Sequence, residues 1–265
     1  MYGAEFGLSE TLMGAALEGK RDEVIVATKF GQDRGDAPLT GWGARGSRRY
    51  IRLAVEGSLR RLRTDWIDLY QLHTPDPNTP LEETLDALSE LVREGKVRYL
   101  GHSNLAGWQL AQAELTATLR GTEHFISAQN EYNLLTRDAE RELLPALNAF
   151  GLGFLPYFPL YNGLFTGKFS RTGGPVDSRI SRQRPHLLDS APWDRIEQFE
   201  QFASARQISM LQATVGWLLA RPGLSSVIAG ATTPEQVRQN AAAGTGWTPT
   251  PAEVEEISAL FPFGG

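Results

Sequence analysis

The feature that most constrains this 265-residue chain is an alternation of short β-branched runs with longer stretches of helical periodicity. The runs are VIVATKF (24–30), WIDLYQL (66–72), VRYLG (97–101), FISAQ (125–129), GFLPY (153–157) and SSVIAG (225–230). Most are continuous, as in the strands of a parallel sheet covered on both faces. Helical patterns lie near 8–17, 47–63, 80–94, 106–119, 137–149, 209–220 and 234–243. Ser47, Thr79-Pro80 and Thr233-Pro234 stand where N-caps belong, and Gly95, Gly151 and Gly223 where helices should stop.

Consecutive β-then-α units imply either a doubly wound sheet or a (β/α)8 TIM barrel. The doubly wound dinucleotide fold needs G-x-G-x-x-G in the turn directly after its first strand, and no such turn directly follows residues 24–30. The barrel is the better reading, with two of its eight strands unaccounted for and expected ahead of residue 1. No repeat, linker or low-complexity tract interrupts residues 1–265, so a single domain is expected.

Composition narrows the chemistry. The absence of cysteine excludes disulfides, thiolate metal sites and a cysteine nucleophile. A net charge of −5 argues against nucleic acid as the main partner. The chain shows no apolar run of membrane-spanning length and no leader pattern, so a cytoplasmic location is expected, without nucleic-acid or membrane partners. Its histidines are too scattered to propose a metal site.

Polar residues close the strands: Lys29, His73, Ser103-Asn104, Gln129, Tyr157 and then Gly230. In a barrel, the C-terminal strand ends converge on one pocket. Each residue has an ordinary structural reading taken alone, but a lysine within a buried run needs a partner or loses its proton. No G-x-S-x-G elbow or H-E-x-x-H pair is present. An amine, an imidazole and a phenol remain. An ammonium beside a phenol lowers the phenol's pKa, which suits proton donation to a carbonyl oxygen with hydride from a cofactor.

At this point the segments EVIVATKFG, AVEGSLRRLRTDWIDLYQLHTPDP, VRYLGHSN, SAQNEYNLL, LPYFPLYNGLFTGK and SVIAGATTPEQVRQN closely resemble the aldo-keto reductases, in order, from residue 2 to about 243. The resemblance implies a barrel that reduces small aldehydes and ketones with NADP(H), NAD(H) being the alternative cofactor. It makes Tyr2 the proton donor, Lys29 the residue that lowers the phenol's pKa, and His73 the group that orients the carbonyl. Ser103, Asn104 and Gln129 match the residues that hold the nicotinamide carboxamide, and Tyr157 the ring that stacks on its face. The segment from Leu160 through Asn162 to Lys168 matches the pyrophosphate wrap. Gly230, Thr232, Gln236, Gln239 and Asn240 match the adenosine-phosphate site.

Two departures from the family pattern stand out. The family's aspartate, in a D-T-A motif a few residues before the tyrosine, is absent from this chain. An N-terminally truncated member, lacking the first strand, first helix and second strand, is therefore expected. Its alternative function is that of a catalytically silent relative binding nicotinamide nucleotide or a protein partner. The second departure lies at the 2′-phosphate, where a common basic pair is replaced by Gly230 and Gln236, with Arg238 the nearest cation. Among weaker features, the glycine-rich stretch GQDRGDAPLTGWGARGS reads as a loop over the barrel mouth, with Trp42 a substrate-contact candidate. Residues 170–192 resemble a cofactor clamp in which Arg179 reaches a phosphate, and a plain surface loop is the competing reading.

Overall fold

The computed structural model describes residues 7–32 and 42–263. Its strands are β1 (Ala27–Phe30), β2 (Ile67–Leu72), β3 (Val97–Ser103), β4 (Phe125–Gln129) and β5 (Gly153–Phe154). Five helices accompany them: α1 (Leu8–Ala16), α2 (Arg48–Leu62), α3 (Leu81–Arg93), α4 (Gly107–Arg120) and α5 (Leu143–Phe150). Further along lie α6 (Arg179–Gln183), α7 (His186–Asp189), α8 (Trp193–Ala205), α9 (Met210–Leu219), α10 (Pro234–Ala243) and α11 (Pro251–Leu260). The strands hydrogen-bond in chain order, β1-β2-β3-β4-β5. The pairings of β1 with β2, β2 with β3 and β3 with β4 are all parallel. A parallel sheet with helical crossovers is consistent with a (β/α)8 barrel.

The chain divides into two compact units, Met1–Gln129 with Pro145–Gly153, and Asn130–Leu144 with Phe154–Gly265. In the first unit, register sorts the side chains into rows. Lys29 pairs with Gln71, Gln71 with Gly101 and Gly101 with Ser127. Strand side chains alternate between faces, so these four positions share one face of the sheet. Phe30, Leu72, His102 and Ala128 form a row on the other face. Helix α2 buries Ile51, Val55, Leu59 and Leu62, which helical spacing places on one face. Its Ser47 cap accepts a hydrogen bond from Tyr50 N at 3.3 Å.

The second unit has an aromatic interior. Tyr132 stacks on Trp217 with centroids 5.5 Å apart and meets Phe154 edge-on. Phe165, Phe199 and Phe261 pack edge to face. Arg137 donates to the carbonyls of Ser258 and Phe261, which fastens the end of α11.

Several local expectations change. The strand expected over 153–157 stops at Phe154 because Pro156 has no N–H for a ladder. Residues 225–230 form no strand; Ser225 N donates to Phe154 O at 2.9 Å and Ile228 N to Pro156 O at 3.3 Å, without a continuous ladder between. Val24–Val26 also lie outside β1, since the Val26 amide donates to the Asp68 carboxylate instead of to a strand. Thr79 caps nothing. Its hydroxyl donates to Asp76, and Pro80 occupies the N-cap of α3. The helix expected over 137–149 is a 3-10 turn followed by α5, as Pro145 fits only a first helical turn. Helices α8 and α11 were not anticipated, although the Thr250–Glu253 capping box is a readable start signal.

Candidate active site

In the first unit the row Lys29–Gln71–Gly101–Ser127 lies one step below the strand ends. Above it the chain places His73, Ser103 and Gln129. His73 N donates to Phe30 O at 2.8 Å, which fixes the end of β2 beside the end of β1. Asn104 follows β3 in a left-handed conformation, φ 63°, that asparagine tolerates better than most residues. Its Nδ2 donates to His73 O at 2.9 Å and to Ser103 Oγ at 3.0 Å. Ser103 Oγ in turn donates to Gln129 O at 2.6 Å. Ser103, Asn104, His73 and Gln129 are thus brought together as one hydrogen-bonded group.

Lys29 is half-buried, and burial pushes its ammonium's pKa down to about 8. It lines a cavity of about 260 Å³ together with His73, Trp42, Tyr50, Phe30 and Met13. Trp42 meets Tyr50 edge-on, with centroids 5.7 Å apart, so the substrate-contact candidate stands in the same cavity wall as the lysine. Glu10 braces another wall, accepting from Thr28 Oγ1 at 2.6 Å and from Arg61 Nε at 2.7 Å. The sequence reading missed Glu10, Arg61 and Arg45; Arg45 joins the ends of β1 and β2 through Gly31 O and Thr74 Oγ1. Tyr2 lies outside the described residues.

In the second unit, Tyr157 is held by backbone bonds to Asn130 and Tyr132, and its ring meets Phe158 edge-on. The following turn is unusual. Phe158, Tyr161, Asn162 and Gly163 all have positive φ, between 44° and 98°. Within the turn Tyr161 N donates to Phe158 O at 2.9 Å and Gly163 N to Leu160 O at 2.8 Å, which closes the backbone into a tight loop. Leu160 is buried under this turn, and a Cβ on Gly163 would come within 3.1 Å of Lys168 Nζ. Asn162 Oδ1 is buried without a hydrogen-bond partner. The Lys168 ammonium beside the turn, with the Asn162 N–H₂ as a further donor, fits a phosphate-bearing cofactor. Residues 170–192 contain α6 and α7, and Arg179 lies over the Phe158 ring at 5.6 Å. Arg184, not anticipated, lies over the same ring at 5.2 Å.

Helix α10 gathers the remaining candidates. Thr233 caps it, and Gln236 Oε1 accepts from Thr232 N at 2.7 Å. Asn240 Nδ2 reaches Gly230 O at 3.4 Å, while Gln239 donates to Glu235. Arg238 is paired with Glu235 at 3.4 Å. Among the described residues no acidic or histidine cluster could hold a metal ion, and no helix is long and apolar enough to cross a membrane.

The family model that matches this chain is that of the aldo/keto reductase family, over residues 1–261. The chain belongs to this family. Similar proteins include an uncharacterized oxidoreductase, YrpG, of Bacillus subtilis, 37% identical over 89% of this chain and 73% of its own length. L-glyceraldehyde 3-phosphate reductase of Escherichia coli K12 is 32% identical over 97% of this chain and 76% of its own. A probable voltage-gated potassium channel subunit beta of Oryza sativa subsp. japonica is 33% identical over 88% and 73%. This aldo/keto reductase is accordingly an oxidoreductase, in a family that uses nicotinamide cofactors on small carbonyl substrates. These matches do not bear out the expected N-terminal truncation.

Proposed function

We propose that the protein reduces aldehydes or ketones to alcohols, with Tyr2 delivering the proton and Lys29 and His73 supporting it. The observation that carries this reading is a desolvated lysine sharing a cavity with His73 at the ends of adjacent parallel strands. NAD(P)H, when bound, supplies the hydride. Ser103, Asn104 and Gln129 would hold the nicotinamide carboxamide, and Tyr157 would stack on its ring. The turn from Leu160 through Asn162 to Lys168, with Arg179, would take the pyrophosphate. Gly230, Thr232, Gln236, Gln239 and Asn240 would take the adenosine end.

The chain's own groups then divide the work. His73 donates to the carbonyl oxygen and fixes its direction. The Lys29 ammonium stabilises the phenolate that Tyr2 becomes on giving up its proton. Lys29 is cationic below about pH 8, so the rate should decline as pH rises through that value. Carbonyl-dependent oxidation of NADPH and of NADH, followed by absorbance with a panel of small aldehydes and ketones, tests the reading. Lys29→Met should lose turnover by about 10²-fold or more while still binding cofactor. Full turnover in that variant would remove Lys29 from the mechanism.

A further inference from the structure

Gln71 and Ser127 are 1% and 6% exposed, and neither Gln71 Nε2 nor Ser127 Oγ has a hydrogen-bond partner. Buried polar atoms without partners are uncommon and costly. These two stand in one row with Lys29, across three successive strand pairings. Gly101 lies between them, and a Cβ there would fall 2.8 Å from Ser127 Oγ and 3.1 Å from Gln71 Cγ. The glycine leaves room for the hydroxyl and the amide to turn toward one another, or to share a water. Adjacent strands are about 4.8 Å apart, so the Gln71 side chain rises directly beside that of Lys29.

We infer that Gln71, backed by Ser127 across Gly101, is a positioning residue that holds the Lys29 amine at the mouth of the sheet. A carboxamide can turn its oxygen toward an ammonium and its N–H₂ toward a hydroxyl. The Gln71 amide thereby supplies a dipole where burial has removed water. Other ionisable groups line the cavity that Lys29 lines: Glu10 from α1, Tyr50 and Arg61 from α2, and His73 from the end of β2. They are unchanged when Gln71 is varied, so a variant reads the amide's own contribution.

The inference rests on Lys29 being the functional amine, and its test uses a readout independent of turnover. On the full chain, the pH dependence of Lys29 acylation by a small amine-reactive reagent is followed by mass spectrometry, with Lys20 as internal control. Gln71→Glu should move the Lys29 midpoint up by about 1–3 pH units, as an adjacent carboxylate does. Gln71→Met, which removes the dipole at similar volume, should move it down, and Ser127→Ala should move it in the same direction by less. The Lys20 midpoint should stay put in every variant. Midpoints that do not move, or that move the same way in Gln71→Glu and Gln71→Met, overturn the inference. Should Gln71→Met fail to fold, the Gln71→Glu arm decides alone. If Lys29→Met keeps its turnover while the midpoints shift as described, the catalytic reading fails and the positioning of the amine stands.

Discussion

Lys29 shows at the residue scale how a site opposes the fold around it. Its folded-state pKa of about 8 lies below the ordinary 10.5, so the unfolded chain holds that proton more tightly. Between those two values the unfolded state binds more protons, and this group's contribution to stability rises with pH. Below about pH 8 the ammonium is present in both states and its desolvation is a constant cost. Lys29→Met should therefore raise the melting temperature at pH 7, by a margin that shrinks toward pH 10. Thermal melts at the two pH values check this, and a lower melting temperature at pH 7 would show the lysine to be a net structural asset. Gly101 is constrained in a different way. Gly101→Ala pushes a methyl into Ser127 Oγ and Gln71, and overpacking of that kind costs about 1–3 kcal/mol in a denaturant titration.

At the scale of elements, Asp68 fastens the start of β1 to β2. Burial alone would raise its carboxyl pKa, but bonds from the Val26 amide at 2.9 Å and the Arg21 guanidinium at 2.6 Å outweigh it and hold the value down. A carboxyl depressed in the folded state contributes stability above its unfolded pKa, lost as pH falls through the folded one. Asp68→Asn should cost about 1.5–3 kcal/mol near neutrality, the range for hydrogen bonds to a charged group. It should also flatten the loss of stability below about pH 4, measured by urea midpoints across the acid range. Helix α10 carries another prediction. Its one cation, Arg238, is exposed and already paired with Glu235. An exposed, shared arginine contributes little to a 2′-phosphate, so fluorescence titration should find only modest discrimination between NADPH and NADH. A preference of several hundredfold would assign the missing charge to another cation, with Arg179 the first to vary.

For the whole molecule, the order of the sheet leaves β1 paired with β2 alone among the described strands. Ile25, just before it, is 85% exposed. An exposed aliphatic side chain beside a strand favours contact with another chain. Ile25→Lys should lower concentration-dependent self-association in light scattering without lowering the melting temperature. Unchanged self-association would place the sticky surface elsewhere.

Much of this architecture is legible in the amino-acid sequence because its causes are local. Continuous β-branched runs, the Ser47 and Thr233 caps and the stripe of Ile51, Val55, Leu59 and Leu62 follow from burial and from backbone hydrogen bonds within a few residues. The polar strand ends Lys29, His73, Ser103, Asn104 and Gln129 were legible too, since polar side chains closing apolar runs need a common reason. Tertiary structure alone decided which of these meet. Register set Gln71 beside Lys29 and Ser127 beyond Gly101, and no spacing within one strand encodes its alignment with the next. Arg184 reaches Phe158 from more than twenty residues away, and Glu10 reaches Arg61 from a different helix. Residues 225–230 look like a strand locally, yet their neighbour Pro156 has no N–H with which to complete a ladder. Local pattern says what each segment buries, and only the packed chain says which polar group stands next to which.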